Sequence, residues 1–428
     1  MSLPPILEVP GTRLRRKSDM VWRDSNPKPL LEIARHRSPV FLAFILCCCM
    51  PHNNPLFSQS PAKAAPGEPE QRLFEFTILN DQGQEQTIQA AQIVEARDGG
   101  VVMLTRDGRL LTATPDQLKQ KRPLDEIFTP LDLPELEQQL QAEFGSDFTV
   151  TQTKHFTICS QAGKRYTKWC GYLFERLYSV LHKHWDSKEL PLHDPQVPMI
   201  AVIFKDRANF EQHASQILGN DNAAVHGFYS TQSNRMVLYD LTAAPNEPPA
   251  FTDADILKKL SKSPFNVATM IHECTHQIAF NVGLHTRFAD NPLWLTEGMA
   301  TYFETPDLRS KTGWRTVGKP NPWRLRQFQD YARSRRPADS LQTLITTDQR
   351  FQDPEQVLDT YAEAWAFSYF LIKTKRRQYE EYLRLVAGKK PLIWSTPAER
   401  LQDFQSVFGD DLSRLDQQFL KYMHQISR

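Results

Sequence analysis

Three scarcities bound what this 428-residue chain can be. No excess of one charge exists: 51 basic against 50 acidic residues leave a formal net charge of +1. Electrostatic capture of nucleic acid needs a basic excess or a clustered stripe, so no nucleic-acid partner is expected. Long apolar runs are missing too, since Val40–Met50 falls well short of the roughly 18–20 residues a membrane-spanning helix requires. Cysteine is sparse: Cys47, Cys48 and Cys49 sit together, leaving Cys159, Cys170 and Cys274 for the rest of the chain. Cys159 and Cys170 either bridge in an oxidising compartment or are buried free thiols, and Cys274 reads as a small core residue. What remains, 40% hydrophobic and 24% charged, is the composition of a globular protein of two or three domains.

Residues 1–70 differ in character from the remainder of the chain. Arg35, His36 and Arg37 precede the apolar run, and Ala62-Lys63-Ala64 comes after it. A positive flank, a short apolar core and small residues predict an export signal cleaved after Ala64, or an uncleaved anchor that associates with the membrane through residues 40–50. The expected location is therefore periplasmic, otherwise extracytoplasmic, or membrane-anchored. From residue 71 to 122 short alternating runs, such as Phe74-Glu75-Phe76-Thr77-Ile78, are separated by turns at Asn80-Asp81-Gln82-Gly83, Asp98-Gly99-Gly100 and Asp107-Gly108, the pattern of a small β module. A proline-marked linker with one helix occupies 123–147.

The stretch that carries chemistry is Ile271–Phe303, which contains His272-Glu273-Cys274-Thr275-His276 and then Trp294-Leu295-Thr296-Glu297-Gly298. Residues four apart on a helix lie one above the other, so His272 and His276 can face one ion with Glu273 beside it. Ser263-Pro264 predicts the start of that helix and Gly283 its end. Asn291-Pro292 predicts a second helix, with Glu297 one to two turns inside. A catalytic zinc keeps three protein ligands and one open position, and Glu297 is the natural third.

HECTH followed by WLTEG resembles the gluzincin branch of zinc metallopeptidases, in which the helix after the H-E-x-x-H motif supplies a glutamate ligand. More narrowly, the chain resembles uncharacterised bacterial proteins with a peptidase-MA-like domain, over roughly His155 to Met423. The segments His226-Gly227-Phe228-Tyr229, Asn234–Tyr239, Glu304 and Tyr361-Ala362-Glu363-Ala364-Trp365 carry that wider likeness. The resemblance implies an α+β fold: a zinc-peptidase-like domain over 148–310 and a C-terminal helical subdomain over 311–428. His226–Tyr229 and Met236–Tyr239, separated by Ser230–Asn234, read as a hairpin, and the resemblance implies that its edge strand takes an extended peptide and that the Tyr361 hydroxyl stabilises the oxyanion. As an aromatic on a buried helix, Tyr361 serves packing equally well. Four residues after Glu297, where thermolysin-like enzymes carry an aspartate that orients a histidine, stands Thr301, so Glu304 or a residue from the C-terminal helices must take that role. The 71–122 module reads as a small SH3-like β-barrel and resembles the Sla-type homology domain, with Phe74 where a tryptophan is usual.

Phe148–Ile158 alternates as a strand, Tyr166–Val180 repeats as an amphipathic helix, and Pro198–Phe204 is a continuous apolar strand. His226 beside a glycine reads as structural rather than as a further ligand. The arginine-rich stretch Trp314–Arg336 reads as a solvated helical face. Tyr361–Leu371, Tyr379–Val386 and Leu401–Met423 read as further helices. The expected function is zinc-dependent hydrolysis of a peptide or protein substrate, with His272, His276 and Glu297 on the metal and Glu273 as general base. The alternative is an inactive zinc-binding scaffold that recognises peptides or proteins.

Overall fold

The computed structural model describes residues 71–80, 82–218, 225–243, 247–262, 264–305 and 316–426. The export signal or anchor and the Ser263 cap lie outside them. Among the described residues, no helix is long and apolar enough to cross a membrane.

The chain opens with an antiparallel five-stranded sheet: β1 (Arg72–Leu79), β2 (Glu85–Glu95), β3 (Val101–Thr105), β4 (Leu110–Ala113) and β5 (Leu118–Ile127), in the order β4-β3-β2-β1-β5. Phe76, Ile78, Ala90, Val101 and Met103 form its core. β5 runs past Pro123, where composition reads as linker. It is an edge strand, the position in which a sheet tolerates a residue that cannot donate to the ladder. Helix α1 (Leu133–Phe144) comes next, capped by Asp132, whose side chain accepts from Glu135 N–H.

A second, mixed sheet has the order β6-β7-β8-β10-β9. Its strands are β6 (Thr149–Gln152), β7 (Phe156–Ser160), β8 (Met199–Phe204), β9 (Phe228–Ser230) and β10 (Arg235–Tyr239), with β7, β8 and β10 parallel and the two edges antiparallel. The single strand expected over Phe148–Ile158 is instead a hairpin. Thr153 turns the chain, its N–H and Oγ1 both bonded to Phe156 O. Helices α2 (Lys164–Trp185) and α3 (Arg207–Leu218) connect the strands of this sheet, and α4 (Asp253–Leu260) and α5 (Pro264–Asn281) follow the last of them.

β8 is apolar throughout because both its faces are covered. Ile200, Val202 and Phe204 pack with Leu136 and Leu140 of α1 and Phe210 of α3. Met199, Ala201 and Ile203 pack in the main core with α2 and α5. The same division separates Cys159 from Cys170, one in each core, and both are free, as is Cys274. Burial pushes the Cys159 thiol up to about 12.

The rest is helical: α6 (Leu293–Phe303), α7 (Pro322–Ser334), α8 (Ser340–Thr346), α9 (Gln349–Gln352), α10 (Val357–Thr374), α11 (Arg376–Ala387), α12 (Pro397–Phe408) and α13 (Leu412–Gln425). The expected single helix over Leu401–Met423 is broken at Gly409, giving α12 and α13. Along one face of α13, Leu415 and Phe419 are buried and Leu412 and Tyr422 half-buried.

Candidate metal centre

Helix α5 lies between the sheet and the helical region and is tied to both. Ile271, Cys274 and Ile278 point into the main core, while Gln277 Nε2 donates to the carbonyls of Ile200 and Asn234. Gly283, at φ +92°, ends the helix and turns the chain back. The cap expected for α6 is supplied differently. Asn291 Nδ2 donates to the carbonyls of Thr286 and Ala289, and the Leu293 N–H is taken by Asp348 Oδ1 at 3.0 Å. Every residue of α6 is buried. Gly298 is where α10 comes closest: a Cβ there would lie 2.1 Å from Ser368 Oγ and 2.7 Å from Ala364 O. The Glu-Gly pair thus divides its work, with the glycine admitting α10 and the glutamate facing α5.

His272, His276 and Glu297 converge. Their potential ligand atoms all lie within 4.8 Å of one another, and among the described residues this is the group that could hold a metal ion. His272 Nε2 is 3.0 Å from Glu297 Oε2 and 3.0 Å from His276 Nε2, and His276 Nε2 is 3.5 Å from Glu297 Oε1. Tetrahedral zinc with ligands at about 2.0–2.1 Å sets its donor atoms about 3.3 Å apart, so the spacing suits that ion. The chemistry of the donors agrees. His272 Nδ1 lies 2.9 Å from Glu304 Oε1, and an ionised carboxylate only accepts, so with Nδ1–H donating there a neutral ring turns the Nε2 lone pair towards a second carboxylate. A proton shared between His272 Nε2 and Glu297 Oε2, on either group, or a cation resolves that contact. A proton leaves Glu297 Oε1, buried, without a hydrogen bond, whereas a cation can use it.

The partner of His272 is therefore Glu304. Arg324 of α7 clamps Glu304 from behind, Nη2 to Oε1 at 3.0 Å and Nε to Oε2 at 3.2 Å, and Asn321 Nδ2 approaches Oε2 at 3.5 Å. Thr301 donates to the carbonyls of Glu297 and Gly298 and so acts only on its own helix. Burial opposes charge on Glu304, yet Arg324 and His272 hold its carboxyl below the usual range. Burial likewise opposes charge on His272, but Glu297 and Glu304 on either side keep its proton affinity high.

Glu273 sits beside the triad with Oε2 accepting from Tyr229 N–H of β9 at 2.9 Å. Burial pushes its carboxyl up to about 8 against the pull of His272, and Glu297 pushes the same way. Positive charge at the triad would draw Glu273 back towards its ionised form. The four residues are enclosed: none exceeds 4% exposure. His285 lies just beyond the α5 turn, 2% exposed and 5.2 Å from the Phe280 ring, with neither ring nitrogen hydrogen-bonded.

Tyr361 is buried in α10, its ring 5.5 Å from the Arg324 guanidinium and edge-on to Phe351. His226 stands apart, its Nδ1 2.8 Å from Tyr239 Oη. The arginine stretch is not simply a solvated face: besides Arg324, Arg335 pairs with Asp359, and the half-buried Arg336 joins Glu363 and Asp416. Trp314 and Arg315 lie outside the described residues. Arg324 is the site residue that sequence reasoning missed, because nothing near it in the chain marks a buried partner.

A protein family of unknown function, DUF1570, matches residues 266–393. That span contains His272, Glu273, His276, Glu297, Glu304, Arg324 and Tyr361. No curated protein matches the chain.

Proposed function

We propose that the chain is a zinc-dependent metallopeptidase of gluzincin type, its metal held by His272, His276 and Glu297. The observation that carries this reading is the convergence of two imidazole nitrogens and one incompletely bonded carboxylate, with Glu304 behind His272 and a third acidic group, Glu273, beside them. The mixed sheet beneath α5 supports a gluzincin-like domain, and the strand order β4-β3-β2-β1-β5 supports an SH3-like module ahead of it. Export or membrane anchoring through residues 40–50 belongs to the same proposal and rests on the sequence.

Bound at the triad, zinc supplies Lewis acidity towards a water and a substrate carbonyl. Glu273 takes the proton of the attacking water and passes it to the departing amine, a task for a carboxylate close to the metal that is not itself a ligand. The Tyr229 amide fixes one oxygen of Glu273 and leaves the other free for that transfer. Tyr361 is assigned the oxyanion on the strength of its place over Arg324, one link from the partner of His272.

Purified protein should contain one zinc per chain and cleave members of a peptide library, with cleavage abolished by chelation and restored by zinc. Glu273→Gln should keep the zinc and lose hydrolysis; full activity in that variant sinks the assignment. The enclosure of all four residues favours a second reading, a zinc-binding scaffold that recognises peptides without cleaving them. Stoichiometric zinc with no cleavage in any library would select it.

A further inference from the structure

The N-terminal β module is pressed against the part of the second sheet that holds Glu273. Its β3–β4 turn presents Asp107, 2% exposed, whose carboxylate accepts from Thr105 Oγ1 at 2.5 Å, Gln139 Nε2 at 2.7 Å and Arg235 Nη2 of β10 at 3.3 Å. The next residue, Gly108 at φ +88°, gives its carbonyl to Arg287 Nη1 at 2.8 Å, and the same nitrogen reaches Thr231 O in the hairpin turn. Leu110 N–H donates to Gln232 O in that turn at 2.7 Å. A Cβ on Gly108 would lie 3.1 Å from Val197 and 3.4 Å from Asn234 Nδ2, so the module abuts the hairpin without a gap.

Beyond the turn the contacts continue to the site. Asn234 takes the left-handed conformation at φ 57°, and its Oδ1 accepts from Tyr229 Oη at 2.8 Å and from Asn281 Nδ2 of α5 at 2.7 Å. The Tyr229 amide then donates to Glu273. β9 is a three-residue edge strand, too short to hold its own position, and within the sheet it has only β10 to lean on.

We propose that the module is a positioning element for Glu273: Asp107 and Gly108 anchor the β9–β10 hairpin, and the hairpin presents the Tyr229 amide to the carboxylate. The inference rests on the reading of Glu273 as general base, but its test does not. In the full chain, Asp107→Asn and Arg287→Met are made singly and together, and amide exchange is followed by mass spectrometry over residues 228–239. Exchange there, the Tyr229 amide included, should rise about tenfold or more in the double variant, on the scale of one to two lost hydrogen bonds. Exchange in α2 should not change, and zinc affinity should stay within about twofold of wild type because no ligand belongs to the chain of contacts. Arg287→Lys, which keeps a donor for Gly108 O, should recover part of the protection.

Unchanged hairpin exchange in the double variant overturns the proposal, as does exchange that rises equally in α2, which would report general loosening. If the double variant does not fold, Asp107→Asn alone, which preserves shape, carries the measurement. A wild-type chain that binds no zinc defeats the metallopeptidase reading and leaves the exchange result to decide this one.

Discussion

Helix α6 touches two buried clusters of charge, one where the chain enters it and one at its middle, and they are built on opposite plans. At the entry, Arg400 Nη2 reaches Asp290 Oδ1 at 2.5 Å and Asp348 Oδ2 at 2.8 Å, while Lys389 reaches Asp290 at 3.2 Å and Asp403 at 2.8 Å. No buried atom of these side chains lacks a partner. At the middle, three carboxylates, Glu273, Glu297 and Glu304, face one guanidinium, Arg324, and two histidines. With both rings neutral and all three carboxylates ionised, that cluster is two negative charges in excess; Glu297 Oε1 has no hydrogen bond, and the neighbouring His285 bonds through neither nitrogen. The first cluster, three carboxylates against two cations, keeps one negative charge in excess with every buried polar atom partnered, and serves stability. The second is more negative and leaves atoms unpartnered, which suits a place that receives a divalent cation.

The largest expected effect breaks the first cluster. Asp290→Ala leaves Arg400 short of its main partner and should cost roughly 3–5 kcal/mol in unfolding free energy, towards the lower figure because Asp348 remains. Zinc affinity should be almost unchanged. The same residue gives a pH test with a definite sign. Burial opposes its charge, but Arg400 and Lys389 hold the Asp290 carboxyl below its ordinary value near 3.9. Its contribution is then fully present above about pH 4 and is lost as pH falls through the folded value, so the wild-type advantage over Asp290→Ala, measured by urea unfolding, should shrink below pH 4.

The next effect breaks the second cluster and should show the reverse pattern. At zinc about 100-fold above Kd, wild type should gain about 2.7 kcal/mol of stability, seen as a rise in Tm. Glu297→Ala should abolish that gain and cost the metal-free protein less than Asp290→Ala costs, because burial opposes the Glu297 charge although His276 and His272 hold its carboxyl below the usual range. A metal-free Glu297→Ala protein that unfolds as readily as Asp290→Ala would mean that both clusters are structural.

The two clusters also differ in how far the sequence discloses them. His272, His276 and Glu297 were legible because a helical repeat and two turn signals place them, and Glu304 because it lies one turn beyond an unsuitable Thr301. The hairpin at 226–239 and the doubly covered β8 were legible for the same reason, local pattern. What stayed hidden depends on distant partners. Leu293 is capped by Asp348, 55 residues on, rather than by the adjacent Asn291. β5 continues through Pro123 because β1 pairs with it, and Arg324 reads as surface until Glu304 is found against it. Enclosure of the site, a property of packing, leaves no mark in the order of residues.

The smallest effect sharpens the comparison inside one stretch of chain. Arg324 and Arg336 both come from the arginine-rich segment, and each meets a buried glutamate, yet Arg324 meets the one that orients His272 and Arg336 the one that ties α7 to α10. Outer partners of a ligating histidine typically change metal affinity by about 10–100-fold. Arg324→Met should therefore weaken zinc binding by that factor in a chelator competition, with a modest loss of stability. Arg324→Lys, which keeps the charge but not the two-pronged contact with Glu304, should fall between it and wild type. Arg336→Met should do the converse, lowering the unfolding midpoint and leaving zinc affinity alone. Equal zinc affinities in the Arg324→Met and Arg336→Met proteins would show that Glu304 holds His272 without help, and that the α7 arginine belongs with the stabilising ion pairs rather than with the metal.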